Sequence, residues 1–497
     1  MPLSPAPILP GGSQLPPPGQ RPPDRRALRV AVFLTLPPLI VLLVIGQLFM
    51  TQIVFFTPGL QAKAETEGGG DGGSASYQGF VFSWTHRDAQ ANPSGGFTKA
   101  ASLQNLKLQA DTFHMNAVII SVVADMPIRS GSTLHWRPTD KGNLDTLPDS
   151  DYEAAIKDAR KANLLPILEL VVKQQDKAVS GTDESSTLVG KAWDGQPSGS
   201  SFGLEGGGKA LVATTERGWF DAYSAFAAHF AQMSERYHLP YFIIGDRLSS
   251  VTTDNNKTSK KNDPAGIDSG VPGELLNCTL GRRDCEWRHV INAIRSVDYS
   301  TYQHQPSEGG GGNYTGKLIY SANWGLDGAA EFEKITWWDA VNYIGVAAYF
   351  PLSPGNAGLS VSDLVNSWHG KTDDPTNEGD IYTRLGKVSD KYFHPIIFTS
   401  AGYESVPGSN SSPGTTTGSD SDQSEQLSDM QALLATFSQA SWWAGVFWSA
   451  EQPLTPHSAQ ANWALSTAWA GDTLAASKAS GQWLAQYYKP NPLPCGC

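Results

Sequence analysis

Cysteine is scarce in this chain: only Cys278, Cys285, Cys495 and Cys497 occur in 497 residues. None stands in a finger-like spacing with histidines, which argues against a structural zinc site, and neither a metal nor an organic cofactor is expected. Charge is sparse as well. Charged residues make up 17% of the chain, and acids outnumber bases 48 to 36, a net charge of −12. So acidic a balance lacks the electrostatic footprint of a nucleic-acid binder. No Gly-rich phosphate loop follows the first apolar run of the folded part, which weakens any dinucleotide-binding reading.

Aromatic residues are plentiful, with 15 Trp and 16 Tyr. Indole faces stack on the C–H faces of sugar rings, but Trp also fills cores, and most of these are expected there. At 40% hydrophobic content the chain can bury a large core even with its tails set aside.

Residues 1–29 read as a Pro-rich cytoplasmic tail without structure. Arg21, Arg25, Arg26 and Arg29 precede an uncharged apolar segment, residues 30–56, long enough to cross a bilayer with some tilt; Pro37 and Pro38 are tolerable kinks in lipid. The basic residues before it place the amino end in the cytoplasm. A single-pass cell-membrane protein is therefore expected, held in the lipid bilayer by one transmembrane helix with its carboxyl-terminal domain extracellular. The alternative is secretion after cleavage, because Ala62-Lys63-Ala64 has the small-x-small form of a cleavage site. A Gly/Ser/Glu linker, residues 57–76, leads to a folded region spanning 77–490, and residues 491–497 form a tail. Export permits a disulfide between Cys278 and Cys285.

From Tyr77 onward, short apolar runs alternate with helix-period segments. The strand candidates are Gly79 to Trp84, Ala117 to Val123, Pro166 to Val172, Tyr241 to Gly245, Lys317 to Ala322, Tyr343 to Phe350, Pro395 to Thr399 and Ala444 to Trp448. The run from Tyr343 to Phe350 has no period-two alternation, as in strands buried on both faces of a parallel sheet. Helical segments lie between most of them, including Ala100 to Phe113, Ser150 to Ala162, Trp219 to Tyr237, Trp287 to Val297, Ser362 to Trp368 and Glu425 to Gln439, with Ala475 to Tyr488 last. Eight strands in this alternation predict an α/β fold, a (β/α)8 TIM barrel, with a doubly wound open sheet as the alternative.

Several motifs then point to a known family. They are Phe82-Ser83-Trp84-Thr85-His86, Trp193-Asp194-Gly195, Trp219-Phe220, Tyr320-Ser321-Ala322-Asn323-Trp324, the stretch from Trp337 to Ser353, Phe398-Thr399-Ser400-Ala401-Gly402-Tyr403 and Gly445-Val446-Phe447-Trp448. In order and spacing, from about Tyr77 to Tyr488, the chain resembles glycoside hydrolase family 113. The resemblance implies a barrel of the large retaining-glycosidase clan with β-mannan as substrate type.

A retaining glycosidase needs two carboxyl groups about 5 Å apart, an acid and a nucleophile. The resemblance places them at the ends of the fourth and seventh strands, where this chain has Arg247 and Ser400; an aspartate expected on the sixth strand is Ala347. Arg does not protonate a leaving group at physiological pH, and a lone Ser is a poor nucleophile at an acetal carbon. Substitute carboxylates are Asp246, one residue away and turned to the opposite face if the strand alternates regularly, and Glu404 and Glu451 on loops. Glu169, inside the apolar third strand, is either a paired buried acid or a site residue. For sugar contact the candidates are Trp84, His86, Asn323, Trp324, Tyr349, Tyr403 and Trp448, whose strand-end positions would bring them to one barrel mouth. Two functions follow: an extracellular barrel that binds an oligo- or polysaccharide without retaining hydrolysis, or an active glycosidase using Asp246 with Glu404 or Glu451.

Overall fold

The computed structural model of the protein describes residues 77–84, 96–127, 134–137, 146–175, 209–252, 283–296, 312–325, 330–353, 358–371, 379–414, 422–449, 464–465 and 477–488, with backbone alone at 126–127, 174–175, 209–218 and 250. Eight strands are present: β1 (Tyr77–Ser83), β2 (Ala117–Pro127), β3 (Leu165–Gln175), β4 (Tyr241–Asp246), β5 (Lys317–Asn323), β6 (Tyr343–Ala347), β7 (Ile396–Ala401) and β8 (Trp443–Trp448). They pair in sequence order, all parallel, and β8 returns to β1 to close a barrel. The expected (β/α)8 barrel is therefore the fold, and the open-sheet alternative is excluded by the β1–β8 pairing.

Ten α-helices are seen among the described residues: α1 (Ala100–Phe113), α2 (Asp149–Lys161), α3 (Lys209–Arg236), α4 (Ser249–Thr252), α5 (Arg283–Arg295), α6 (Glu331–Lys334), α7 (Val361–Trp368), α8 (Ile381–Tyr392), α9 (Gln423–Phe437) and α10 (Ala479–Tyr487). Two departures from expectation have clear reasons. β6 ends at Ala347 rather than Phe350, where the Tyr349 N–H turns back to the Ala347 carbonyl at 3.1 Å and the chain leaves the ladder. The unexpected α8 carries Ile381, Leu385 and Val388 on one face, and Asp380 caps it by accepting the Thr383 N–H at 2.8 Å.

Burial follows the two faces of each strand. Tyr77, Ile119, Ile167, Tyr241, Ile243, Ile319, Tyr343, Ile397 and Phe447 fill the barrel interior. Their strand neighbours Phe80, Val118, Leu168, Phe242, Leu318, Ile344, Phe398 and Val446 pack outward against the helices, the two-sided burial that parallel sheets require. At the amino ends of the strands, the Tyr77 and Tyr241 rings meet edge-on at 5.4 Å and their hydroxyls hydrogen-bond. Much of the aromatic surplus lies behind β4 and β5. There Trp219 stacks on Tyr223 at 4.8 Å and Trp287 on Trp337 at 4.9 Å, with Tyr320 edge-on to both Trp287 and Trp337.

Residues 30–56, the expected transmembrane helix, lie outside the described residues, as do the linker and the tail. Among the described residues no helix is long and apolar enough to cross a membrane. Cys285 is buried in the first turn of α5 and disulfide-bonded; Cys278, its expected partner, lies outside the described residues.

Closure of the barrel depends on Gly445, which pairs with Tyr77 at φ 137°. A Cβ at Gly445 would lie 2.2 Å from the Tyr77 carbonyl oxygen, so any other residue must push β8 from β1. Gly445→Ala is expected to lower stability by at least about 2 kcal/mol, read as a drop in the urea midpoint at unchanged m. An unchanged midpoint would show that the β8–β1 seam does not limit stability.

Candidate functional site

Toward the carboxyl ends of the strands, where barrels of this kind carry their sites, the inward positions turn from apolar to polar. Ser121 on β2, Glu169 on β3, Asp246 on β4, Ser321 and Asn323 on β5 and Thr399 on β7 form this upper layer, all of them buried.

Asp246 reaches the layer because β4 does not alternate regularly. The pairing with β5 shifts between Ile243 and Asp246. Ile243 faces the interior, Ile244 the helices, and a Cβ at Gly245 would meet Tyr320 and Tyr223, which also lie on the outer side. With two consecutive outward residues, Asp246 returns inward, as a β-bulge permits. The opposite-face placement expected for a regular strand is thus corrected. Asp246 Oδ1 accepts the Ser321 hydroxyl at 2.7 Å, and Oδ2 accepts Arg247 Nε–H at 2.8 Å. Arg247 turns away from the strand at φ 51°, its N–H donating to Ser321 O at 2.8 Å.

The hydroxyls of Ser321 and Thr399, on strands that are not neighbours, lie 2.6 Å apart. Since Ser321 donates to Asp246, it accepts from Thr399. Gly345 on the intervening β6 makes this possible: a Cβ there would sit 2.9 Å from Thr399 Cγ2 and 2.5 Å from Tyr320 O. On the other side of Asp246, Glu169 accepts the Ser121 hydroxyl at 3.3 Å. Burial, and after it the charge of Asp246, raise the Glu169 carboxyl well above its ordinary range, against the opposing pull of Arg247 and Ser121. The layer therefore holds a carboxyl that favours its proton beside a carboxylate clasped by a guanidinium.

A second buried acid supports the layer from behind. Glu331, at the start of α6, accepts hydrogen bonds from Thr252 Oγ1 (2.5 Å), Tyr320 Oη (2.6 Å) and the Asn323 N–H (2.6 Å). Tyr320 Oη in turn accepts the Leu248 N–H at 2.9 Å. Glu331 thus ties the loop after β4, which carries Arg247, to the end of β5. No strong sequence signal marks it: it stands in a short acidic stretch, Glu331-Phe332-Glu333, that resembles an exposed loop.

The other candidates are dispersed. Glu404 is buried, but its charge acts on Lys478, whose Nζ donates to Ser405 Oγ at 2.9 Å beside α10. Burial lowers the Lys478 ammonium to about 8 and Glu404 opposes that fall. Glu404 is thereby linked to Lys478 at the start of the carboxyl-terminal helix. Trp84 and Trp448 share the strand faces of Phe82 and Val446 and belong to the outer core, where Trp448 Nε1–H donates to Tyr488 at 3.0 Å. Tyr403 is buried in the same layer. Strand-end position alone made these three look convergent; the face of the strand decides otherwise. Trp324 is partly exposed beside Phe350, their rings 5.9 Å apart, and Tyr349 exchanges a hydrogen bond with Ser449. Tyr349 also lies within electrostatic range of Arg247. Ser400 stands opposite Ala347 through a second slip in register, its hydroxyl without a hydrogen bond among the described residues. His86 and Glu451 lie outside the described residues. Among the described residues no three His, Cys, Asp or Glu side chains come together as a metal-ligand group.

Residues 271–464 match the family model described as Glycoside Hydrolase Family 113. The chain resembles that family. A glycoside hydrolase family 113 β-1,4-mannanase solved as a complex shares 16% identity over 83% of this chain and 98% of its own, with a TM-score of 0.54. A family 113 β-mannanase from Alicyclobacillus acidocaldarius, in complex with ManMIm, shares 17% over 83% and 97%, with a TM-score of 0.53. At such identities the likeness is one of fold. No curated protein matches the sequence. Of the two positions where the sequence resemblance would put the family's glutamates, Ser400 falls within the matched residues and Arg247 before them.

Glu331 gives this mouth a measurable pH dependence. Burial pushes its carboxyl up to about 7 from an ordinary 4.5, although Thr252, Tyr320 and the Asn323 N–H all pull it down. A raised folded-state value means that the native state holds the proton more tightly. The associated stability is complete below about 4.5 and is lost as pH rises through about 7. Between those limits up to about 3 kcal/mol should disappear, and Glu331→Gln should flatten that part of the profile. Urea midpoints across the range measure it; a slope unchanged by the substitution would assign the pH dependence elsewhere.

Proposed function

We propose that the protein is a membrane-anchored, extracellular barrel that binds a mannan-type or related glycan at its mouth without retaining hydrolysis. The Asp246–Arg247 clasp carries this reading. At the end of β4, where the resemblance to family 113 calls for a proton donor, a guanidinium that stays protonated holds the adjacent carboxylate at 2.8 Å. At the end of β7, Ser400 has no base in hydrogen-bond reach among the described residues. The hydroxyls of Ser121, Ser321 and Thr399 and the amide of Asn323 give a sugar partners for hydrogen bonds, and Trp324 gives it a ring to stack on.

A second reading is favoured by Glu169, whose carboxyl is raised by burial and by the charge of neighbouring Asp246. Two neighbouring acids whose surroundings separate their protonation states are the pattern of acid–base assignments in active sites. Glu169 would act as proton donor and Asp246 as the carboxylate, in place of the pairing with Glu404 or Glu451.

One set of measurements separates the two. On the binding reading, purified protein retains manno-oligosaccharides and releases no reducing ends, and Trp324→Ala weakens binding by about 0.5 to 1.5 kcal/mol, by analogy with aromatic pairs. Hydrolysis that appears only in Arg247→Glu with Ser400→Glu would support a disabled retaining site. Turnover by the unmodified protein that is lost in both Glu169→Gln and Asp246→Asn would replace binding with catalysis.

The anchor is tested in intact cells. Added protease should remove the barrel and leave a short amino-terminal stub in the membrane fraction. Recovery of the barrel from the medium beginning at Glu65 would mean that residues 30–56 act as a cleaved signal.

A further inference from the structure

Away from the mouth's Asp246 clasp, a second group of buried oxygens lies where the loops after β6 and β7 meet the start of α9. Glu425 and Asp429 stand one turn apart on α9, both buried. Asp429 Oδ2 accepts the Ser409 hydroxyl at 2.8 Å, whereas Oδ1, equally buried, has no hydrogen-bond partner. Glu425 Oε2 accepts the Gly358 N–H at 2.8 Å, and Oε1 meets the Asn410 side-chain amide. Asn410 is itself fully buried, bonded through Oδ1 to Ser353, and its carbonyl accepts the Leu352 N–H at 2.8 Å.

A separate observation points into the same place. The Tyr403 hydroxyl, on the loop after β7, is buried, makes no hydrogen bond, and lies within electrostatic range of Asp429. Two buried oxygens without hydrogen-bond partners, Asp429 Oδ1 and Tyr403 Oη, therefore lie in electrostatic range of one another. The charges acting on Asp429 and Glu425 are all acidic: each feels the other or Asp422, and no Lys or Arg contributes. The adjoining segments 354–357 and 415–421 contain no basic residue either. Of the other buried acids, Asp246 has Arg247 and Glu404 has Lys478 as a cation, and Glu331 has three donors; Glu169, with a single hydroxyl, is the nearest parallel to Asp429. An uncompensated buried carboxylate is expensive.

We propose that this group binds a hard divalent cation of the calcium class, held by Asp429 and Glu425 with oxygens of Asn410, Ser409 and Tyr403. Carboxylate, amide and hydroxyl oxygens without nitrogen or sulfur are the donor set such a cation takes. The side-chain amide of Asn410 turns about its last bond to present its oxygen, an orientation that X–N and X–O positions alone leave open. The ion would link three segments, the loop after β6, the loop after β7 and the first turns of α9, and so brace one side of the barrel mouth. The inference is independent of which glycan reading holds.

Calcium alone is the probe. Full-length protein stripped with EDTA should take up one equivalent of Ca2+ in titration calorimetry. Its Tm should rise by about 5 °C when the site is a hundredfold saturated. Glu425→Gln should weaken uptake at least tenfold, and Asp429→Asn should abolish it. If Asp429→Asn does not fold, the unmodified protein and Glu425→Gln decide the matter. No uptake by the stripped protein at millimolar Ca2+, or uptake undiminished in Glu425→Gln, overturns the proposal and leaves Asp429 as a buried acid that keeps its proton.

Discussion

The content of the barrel mouth rests on one irregularity in β4, where two successive residues, Ile244 and Gly245, face the helices and so turn Asp246 toward the interior. Once that carboxylate is inside, its neighbours are constrained in turn. It needs donors, and finds Ser321 from β5 and Arg247 from its own loop. Arg247 reaches it from a left-handed backbone conformation, held by the Ser321 carbonyl and by the Leu248 N–H bonded to Tyr320. Ser321, whose hydroxyl donates to Asp246, accepts a hydrogen bond from Thr399 across a glycine on β6. Removing one partner of such a buried pair leaves an isolated charge, at a cost of about 3 to 5 kcal/mol. The mouth is therefore a coupled unit whose members do not vary independently.

The acids of this chain show how differently a barrel can accommodate negative charge near its carboxyl face. Asp246 is balanced by a guanidinium. Glu331 has only neutral donors, and they do not outweigh its burial, so its carboxyl sits near neutrality. Glu169 has a single hydroxyl and a like charge beside it, which favour the protonated form. Asp429 has neither a cation nor enough donors. The same residue types thus become an ion pair, a structural acid, a candidate proton donor and an oxygen ligand, according to what packs against them.

Much of the fold was legible because parallel strands covered on both faces leave apolar runs between turn-rich breaks. All eight runs proved to be strands, and helix α1 was read to its ends. α8 was overlooked although Ile381, Leu385 and Val388 carry helical spacing, because a second helix in one crossover departs from the alternating pattern. The site was less legible. Its residues were named at the right strand ends, but which side of the strand each occupies depends on register slips at β4 and β7, and no local sequence pattern announces a slip. Trp84, Tyr403 and Trp448 were assigned to the mouth by position and lie in the outer layer by parity. Glu404 was read as a loop acid with a free choice of partner; a lysine more than seventy residues later in the chain takes it.

That redistribution of aromatics alters what recognition at the mouth would be. With three of five rings committed to the core, stacking falls to Trp324, with Tyr349 already bonded to Ser449. The remaining lining is hydroxyl, amide and charge, arranged in a chain from Ser121 to Thr399 whose members are all bonded to one another or to Asp246 or Glu169. A sugar entering such a site must match hydrogen-bond positions and not merely a flat apolar face. Sites of that kind discriminate sharply, because a ligand whose hydroxyls do not match must break hydrogen bonds already made among buried groups without replacing them. If the mouth binds a glycan as proposed, the polar layer would favour selectivity for one sugar configuration over broad affinity for any ring that stacks, with Arg247, partly exposed beside Asp246, adding charge to that selection.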